Sequence, residues 1–160
     1  MSVRDIMSTK VVSISADDNL HIVYEIMELG RVRHLPVVQR GRLVGVVSQR
    51  DLLHASLSNV IGVASEDQNS FLQGVKISQV MSKPPISIEP DASVQEAARI
   101  MAEHKIGCLP VEEDRRVIGI ATETDVLRYF AGIPPEFEPV PDMMLIRSEF
   151  SPESVPEDER

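Results

Sequence analysis

The chain contains an internal repeat, and this repeat constrains its fold more than any other feature of the sequence. Residues 3–54 align with residues 77–128 at a constant offset of 74 and without a gap. Such a register indicates duplication of a unit of about fifty residues, so the fold is expected to consist of two related halves. Identical pairs run through the whole alignment; they include Met7/Met81, Ser13/Ser87, Ile26/Ile100, Leu35/Leu109, Gly45/Gly119 and Asp51/Asp125.

Each copy is predicted to contain a strand, a helix, two further strands and a second helix. Short β-branched runs at Val11–Ile14 and Pro85–Ile88 predict the first strand. Ser93 and Glu96 have the spacing of a capping box, and Asn19 holds the equivalent N-cap position in the first copy. Apolar residues at helical spacing after each cap predict the buried face of the helix; they are Leu20, Val23 and Met27, and Val94, Ala97 and Met101.

A β-hairpin is predicted after this helix. Arg40-Gly41-Arg42 separates the apolar runs Leu35–Val38 and Leu43–Val47, and its glycine suits a tight turn. The second copy repeats the pattern around Asp114-Arg115-Arg116. A last helix is then expected to begin at Ser48 in one copy and at Thr122 in the other.

The predicted fold class is therefore α/β (α+β), with one β-α-β-β-α unit in each repeat. The predicted domain boundaries are repeat 1 at 1–58, an inter-repeat linker at 59–75, repeat 2 at 76–132 and an acidic, proline-rich tail at 133–160. Within the tail, Met143–Ile146 forms a short apolar run. We expect this run to dock on its own domain or on a dimer mate; a partner-binding peptide is the alternative.

The charge distribution argues against nucleic-acid binding. Of the formal net charge of −9, the residues from Ala131 onward carry −6, with eight acids against two arginines, which leaves −3 for residues 1–130. No basic stripe is present that would neutralise phosphates. A single cysteine, Cys108, excludes an internal disulfide, and neither a signal peptide nor a membrane-spanning apolar stretch is recognisable. A cytoplasmic location is expected.

The recurring motifs resemble the cystathionine β-synthase (CBS) domain family. The first copy carries D-I-M-S at Asp5–Ser8, L-P-V-V at Leu35–Val38 and G-V-V-S-Q-R-D at Gly45–Asp51. The second copy carries V-M-S, L-P-V and G-I-A-T-E-T-D in the same order, ending at Asp125. The resemblance covers residues 3–130. It implies two repeats related by pseudo-twofold symmetry, with sheets packed together and helices outside. It also implies a Bateman module that binds AMP, ADP, ATP or S-adenosylmethionine, forms a homodimer and regulates a separate effector protein.

A hydroxyl and an aspartate lie three residues apart where the hairpin passes into the last helix of each copy. These pairs are Ser48/Asp51 and Thr122/Asp125. The hydroxyl can donate to a phosphate oxygen beside the amides of a helix N-terminus, and the carboxylate can accept both hydroxyls of a ribose. The alternative interpretation is an ordinary N-cap followed by an acid that complements the helix dipole. Because the pair occurs twice, we favour ligand contact.

The family resemblance further implies composite pockets. One would join Ser48 and Asp51 to the segment 83–86 and to residues 107–108; the other would join Thr122 and Asp125 to the segment 9–12 and to residues 33–34. The candidate binding residues are Ser48, Arg50, Asp51, His34, Lys83, Pro85, Ile86, Gly107, Cys108, Thr122, Asp125, Thr9, Val11 and Val12.

The two predicted pockets differ in quality. Gly107 and Cys108 are small and leave room for a flat base, whereas the equivalent Arg33 and His34 would crowd it. His34 and Arg50 can reach phosphates, while the equivalent Cys108 and Thr124 bring no charge. The Asp51 pocket is therefore expected to be the better nucleotide site.

An enzymatic activity is not expected. The chain contains no H-E-x-x-H, G-x-S-x-G or P-loop motif. His104 and Cys108 are four residues apart, but a helix-to-strand junction between them and the lack of a third ligand argue against a metal site. The sequence thus predicts a regulatory sensor of an adenosine-containing ligand; the alternative is a ligand-free dimerisation or scaffold module.

Overall fold

The computed structural model describes residues 1–30, 32–57 and 72–136. The helices are α1 (Val3–Ile6), α2 (Leu20–Gly30), α3 (Gln49–Leu57), α4 (Val94–His104) and α5 (Glu123–Ala131), with a 3-10 turn at Ile77–Gln79. The strands are β1 (His34–Gln39), β2 (Arg42–Ser48), β3 (Cys108–Glu113) and β4 (Arg116–Thr122). The elements of the first repeat from α2 to α3 thus recur in the second from α4 to α5, which confirms two related α/β halves.

The described chain forms two compact units, and their composition does not follow the order of the sequence. The repeat-1 unit contains α2, β1, β2 and α3 together with residues up to Pro85. The repeat-2 unit contains α4, β3, β4 and α5 together with Met1–Val11. The opening segment of each repeat, residues 1–11 in the first and residues 76–85 in the second, therefore packs with the hairpin of the other repeat. We call these two the exchanged segments. The sequence register contains no indication of this exchange.

Both hairpins have the same register and the same turn. β1 pairs antiparallel with β2, with a bulge between Val37 and Val38, and β3 pairs with β4 with a bulge between Val111 and Glu112. The two turn residues have positive φ in each hairpin, 51° and 79° at Arg40 and Gly41, and 49° and 65° at Asp114 and Arg115. Two consecutive positive φ angles are typical of a type I′ turn, whose twist matches that of the strands. The predicted hairpins are confirmed.

The predicted first strand of each repeat is wrong as a strand. Ile14 makes one parallel bridge to β1, with its N–H donating to the Pro36 carbonyl at 3.0 Å and its carbonyl accepting from Val38 N–H at 2.8 Å. Ile88 makes the equivalent bridge to β3. Pro36 has no N–H to donate, and the bulge after Val37 shifts the register, so the ladder does not extend to Val11–Ile14. Pro110 and the second bulge limit Pro85–Ile88 in the same way.

The exchanged segments form backbone hydrogen bonds with the second strand of each hairpin, β4 in one unit and β2 in the other. Ser8 and Ile120 exchange two backbone hydrogen bonds of 2.9 Å, and Ser82 makes the same bridge to Val46. In both units the preceding methionine packs onto a glycine of that strand. A Cβ on Gly119 would lie 2.6 Å from Met7 Sδ, and one on Gly45 would lie 2.6 Å from Met81 Sδ. Any side chain larger than hydrogen would therefore displace the exchanged segment.

The predicted helix starts and core faces are confirmed. Asn19 Oδ1 accepts from Ile22 N–H at 3.1 Å, and Ser93 Oγ accepts from Glu96 N–H at 3.0 Å. The apolar stripes of α2 and α4 are buried, and the core of the repeat-2 unit also takes in the exchanged segment. Its buried members include Val3, Ile6, Met7, Val94, Ala97, Met101, Leu109, Val111, Ala121 and Val126.

The chain folds back after α5. Gly132 ends the helix with φ of 70°, and the Arg128 guanidinium binds the following residues through the Pro134 carbonyl at 3.0 Å and the Glu136 carboxylate at 2.8 Å. The predicted apolar run Met143–Ile146 lies outside the described residues. Within the described ranges, none of the helices has the length and apolar character needed to cross a membrane.

Candidate ligand-binding site

The first hydroxyl–aspartate pair lies at the start of α3. Ser48 is the last residue of β2, and its Oγ accepts from Asp51 N–H at 3.1 Å. In return, Asp51 Oδ2 accepts from Ser48 N–H at 2.9 Å. The pair therefore forms a reciprocal capping box, as the N-cap interpretation predicts. Both residues remain partly exposed to solvent.

The second pair forms the same box with one additional bond. Thr122 Oγ1 accepts from Asp125 N–H at 3.3 Å, and Asp125 Oδ2 accepts from Thr122 N–H at 2.8 Å. The Thr122 hydroxyl also donates to Asp125 Oδ2 at 2.8 Å. The hydroxyl proton of Thr122 is thus used within the motif. Among the described residues, the Ser48 hydroxyl does not donate to Asp51 in this way.

Capping leaves half of each carboxylate available. Only Oδ2 of each aspartate takes part in the box, and Oδ1 accepts no hydrogen bond from another described residue. An ionised carboxylate offers about four lone-pair sites, so one oxygen can cap the helix while the other accepts from a ligand hydroxyl. The two interpretations of the motif are therefore compatible.

Basic residues lie next to the Ser48–Asp51 pair along the chain and across the hairpin. His34 lies opposite Ser48 in the β1–β2 register, and the Arg33 carbonyl accepts from Gln49 N–H at 2.7 Å. Arg50 is the second residue of α3, and both arginine side chains are exposed. The structure thus brings the predicted residues His34, Ser48, Arg50 and Asp51 together at one end of a single hairpin.

The surroundings of the Thr122–Asp125 pair differ in charge. Cys108 lies opposite Thr122 in the β3–β4 register, and the Gly107 carbonyl accepts from Glu123 N–H at 2.9 Å. Burial, and to a smaller extent the Glu123 carboxylate, raises the pKa of the Cys108 thiol to about 12. The thiol is therefore neutral, and the nearby fixed charge is negative. Glu123 was not among the residues predicted for the site.

The remaining predicted residues divide between the two units. Lys83 and Pro85 belong to the repeat-1 unit, next to the Ser82 bridge to β2, and Val12 belongs to it as well. Thr9 and Val11 belong to the repeat-2 unit, next to the Ser8 bridge to β4, as does Ile86. Within each hairpin, residues 33–34 adjoin Ser48 and residues 107–108 adjoin Thr122. The predicted pairing of each hydroxyl–aspartate motif with residues 107–108 or 33–34 of the other repeat stays a prediction.

The repeat-2 unit also contains a cleft that the sequence did not predict. It has a volume of about 280 Å³ and is lined by Met1, Ile6, Asp125, Tyr129, Ile133 and Pro134, among others. Asp125 therefore faces a largely apolar depression as well as capping α5. The cleft depends on the fold-back held by Arg128, for which no local sequence signal exists. Among the described residues, no group of three histidine, cysteine, aspartate or glutamate side chains is arranged to hold a metal ion.

Comparison with solved structures identifies similar domain pairs. The CBS domain pair of protein MJ0100, solved in complex with 5′-methylthioadenosine and S-adenosylmethionine, is 28% identical and superimposes with a TM-score of 0.70, covering 82% of this chain and 97% of that chain. CBSX2, solved in complex with AMP, is 27% identical with a TM-score of 0.67, covering 82% of this chain and 96% of that chain.

Comparison with other sequences leads to the same family. A CBS domain-containing protein of Dictyostelium discoideum is 33% identical over 141 residues, which cover 87% of this chain and 95% of the relative. Other relatives are longer: the chain spans 43% of a Thermofilum pendens protein that is 34% identical over 128 residues. The CBS domain model matches residues 3–58 and again residues 77–132. The chain therefore belongs to the CBS domain family and carries two CBS domains in tandem.

Proposed function

We propose that the chain is a regulatory sensor that binds an adenosine-containing ligand and signals its presence to a separate protein. The observation that carries this proposal is the duplicated hydroxyl–aspartate box, which leaves one carboxylate oxygen available beside each helix start. A ribose presents two adjacent hydroxyls to such an oxygen, and the helix amides favour a negatively charged group next to it.

The similar domain pairs support the choice of ligand class. One was solved with 5′-methylthioadenosine and S-adenosylmethionine, and another with AMP. Adenosine is the part that these ligands share. The candidate ligands for this chain are therefore AMP, ADP, ATP and S-adenosylmethionine, acting as regulatory ligands rather than as catalytic cofactors.

The Asp51 site is proposed to bind more tightly than the Asp125 site. The Ser48 hydroxyl is not committed to its own aspartate, whereas the Thr122 hydroxyl donates to Asp125. A ligand at Thr122 must first replace that bond, which costs part of the binding free energy. Isothermal titration of Asp51→Ala and Asp125→Ala with AMP tests the order: the first substitution should weaken AMP binding more than the second.

A ligand-free dimerisation module is the alternative, and one observation favours it. Leu53 on α3 and Leu127 on α5 occupy equivalent positions, and both are exposed, by 56% and 67%. Each leucine gives its helix an exposed apolar side chain that another protein surface could cover. We propose that they contribute to a homodimer, which is compatible with ligand sensing but does not require it.

A thermal-shift panel separates the two functions. The panel contains AMP, ADP, ATP, S-adenosylmethionine, NAD and cyclic dinucleotides. A ligand at a hundred times its dissociation constant should stabilise the fold by about 2.7 kcal/mol. A sensor shows this shift with at least one adenosine compound, and the double variant Asp51→Ala/Asp125→Ala loses it. If no compound shifts the unfolding temperature, the sensor proposal fails and the scaffold alternative remains.

A further inference from the structure

The two hydroxyl–aspartate motifs share their geometry but differ in the charge around them. At three equivalent positions the first repeat has Arg33, Gln49 and Arg50, a charge of +2. The second repeat has Gly107, Glu123 and Thr124 at these positions, a charge of −1. The difference is three unit charges at the end of the hairpin where the ligand-contacting pair lies.

The structure places these charges beside the motifs. Gln49 N–H binds the Arg33 carbonyl at 2.7 Å, and Glu123 N–H binds the Gly107 carbonyl at 2.9 Å, so in each unit the two positions adjoin across the hairpin end. Arg50 and Thr124 are each one residue before the aspartate of the motif. Arg50 and Glu123 therefore lie within the span of their capping boxes, and Arg33 adjoins the first box across the hairpin end.

The two arginines are available to a ligand. Both side chains are exposed, and neither forms an ion pair with a carboxylate among residues 1–30, 32–57 and 72–136. In the second repeat the nearest cation along α5 is Arg128, and its guanidinium already binds Glu136 at 2.8 Å. The Glu123 carboxylate lies close enough to Cys108 to help raise the pKa of its thiol.

We infer that the Ser48–Asp51 site takes a 5′-phosphorylated adenosine, whereas the Thr122–Asp125 site takes an adenosine whose 5′ substituent carries no phosphate. This inference rests on the proposed function and adds the charge class of the ligand at each site. A nucleoside monophosphate carries close to two negative charges at neutral pH, which two guanidiniums attract and a glutamate repels.

AMP and 5′-methylthioadenosine are the two probes, since they share the adenosine and differ in 5′ charge. Isothermal titration of the wild type should give one step for each compound. Asp51→Asn should remove the AMP step and retain the methylthioadenosine step, and Asp125→Asn should do the opposite. Arg50→Thr and Arg33→Gln should each weaken AMP binding about tenfold and leave methylthioadenosine unchanged.

Two further variants separate a local effect from a general change of charge. Arg42→Thr removes an exposed cation at the turn end of the same hairpin, about 20 Å along β2 from Ser48, and should leave AMP affinity unchanged. The double substitution Glu123→Gln/Thr124→Arg copies two of the three positions of the first repeat into the second, changes the local charge from −1 to +1 and should create a second AMP step.

The outcomes are distinguishable. If AMP binds but Asp125→Asn abolishes it, or if Arg50→Thr and Arg33→Gln leave it unchanged, the charge assignment is overturned while the sensor function stands. If AMP and methylthioadenosine do not titrate the wild type but ADP, ATP or S-adenosylmethionine does, the inference fails while the sensor function stands; if none of these compounds titrates it, both fail.

Discussion

Met81 packs directly onto Gly45, so closely that a Cβ on this glycine would lie 2.6 Å from the methionine Sδ and 3.0 Å from the Ser82 carbonyl oxygen. Met7 and Gly119 repeat the contact in the other unit, at 2.6 Å from Sδ and 3.0 Å from the Ser8 oxygen. The methionine side chain can move, but the carbonyl oxygen belongs to the backbone that bridges β2. The glycine therefore determines how closely the exchanged segment approaches the hairpin.

We expect Gly45→Ala to destabilise the protein by about 1–3 kcal/mol, because the added methyl group overpacks a backbone contact. Urea unfolding followed by circular dichroism measures the change. Gly74→Ala is the matched control: no atom lies within 4 Å of the position of its Cβ, so its stability should stay within about 0.5 kcal/mol of the wild type. The double variant Gly45→Ala/Met81→Ala should recover only part of the loss, since the Ser82 oxygen remains. Equal stability of Gly45→Ala and Gly74→Ala would contradict the contact.

Most of the local structure could be predicted from the sequence. The helix caps at Asn19 and Ser93 and the positions of both hairpins follow from patterns that act over a few residues, whereas the type I′ turns do not, since arginine at Arg40 and Arg115 does not favour a positive φ. The hydroxyl–aspartate motifs were likewise predictable as pairs three residues apart. The first strands were not, because whether Ile14 continues into a ladder depends on the missing N–H of Pro36, on a different segment.

The exchange of the opening segments could not be predicted for a different reason. Met7 and Met81 are identical, and so are their partners Gly119 and Gly45. Each methionine would fit either glycine, so the local pattern does not indicate which copy it packs against. Other contacts of the two segments differ between the copies. Arg4 supplies one, with ion pairs to Glu113 at 2.7 Å and Asp91 at 3.5 Å, whereas the equivalent residue in the second copy is Ser78.

The capping function of Thr122 leads to a prediction about stability. Thr122→Ala removes the acceptor for Asp125 N–H and the donor to Asp125 Oδ2, and should cost about 0.5–2 kcal/mol. Thr122→Ser keeps the hydroxyl and should lose less than half of that amount. Thermal unfolding at neutral pH gives both values. A Thr122→Ser variant as unstable as Thr122→Ala would assign the effect to the lost methyl group rather than to the cap.

Cys108 should be unreactive in the folded protein. Burial and the Glu123 carboxylate raise the pKa of its thiol to about 12, and only the thiolate is nucleophilic. Alkylation by iodoacetamide at pH 8 should therefore proceed much more slowly than in urea-unfolded protein, by a factor of about a hundred or more. Glu123→Gln removes the smaller cause of the shift and should accelerate the reaction only slightly. Rapid alkylation of the folded wild type would contradict the burial.

The same shift predicts the direction of a pH effect on stability. The thiol pKa is raised on folding above its ordinary value of 9.0, so folding favours the protonated form. This contribution is fully present below about pH 9 and decreases as the pH rises toward 12, because the unfolded chain loses its proton first. Unfolding midpoints in urea at pH 8 and pH 10 should differ more for the wild type than for Cys108→Ala. A larger pH dependence in Cys108→Ala than in the wild type would contradict the predicted direction of the effect.

The exposed leucines of the last helices allow the dimer proposal to be tested without disturbing the fold. Leu127 is 67% exposed and Leu53 is 56% exposed, so replacing either with glutamate removes little buried area within its own unit. In a dimer that covers these side chains, however, a buried unpaired carboxylate opposes association strongly. Leu53→Glu/Leu127→Glu should therefore shift the sedimentation coefficient to that of a monomer while the urea unfolding curve of the monomer stays cooperative.

Arg116→Glu, at an exposed hairpin turn, is the control and should leave the oligomeric state unchanged. A double leucine variant that sediments like the wild type would place the dimer contact, if one forms, elsewhere on the surface. If the monomeric variant still binds AMP, ligand binding does not depend on the dimer.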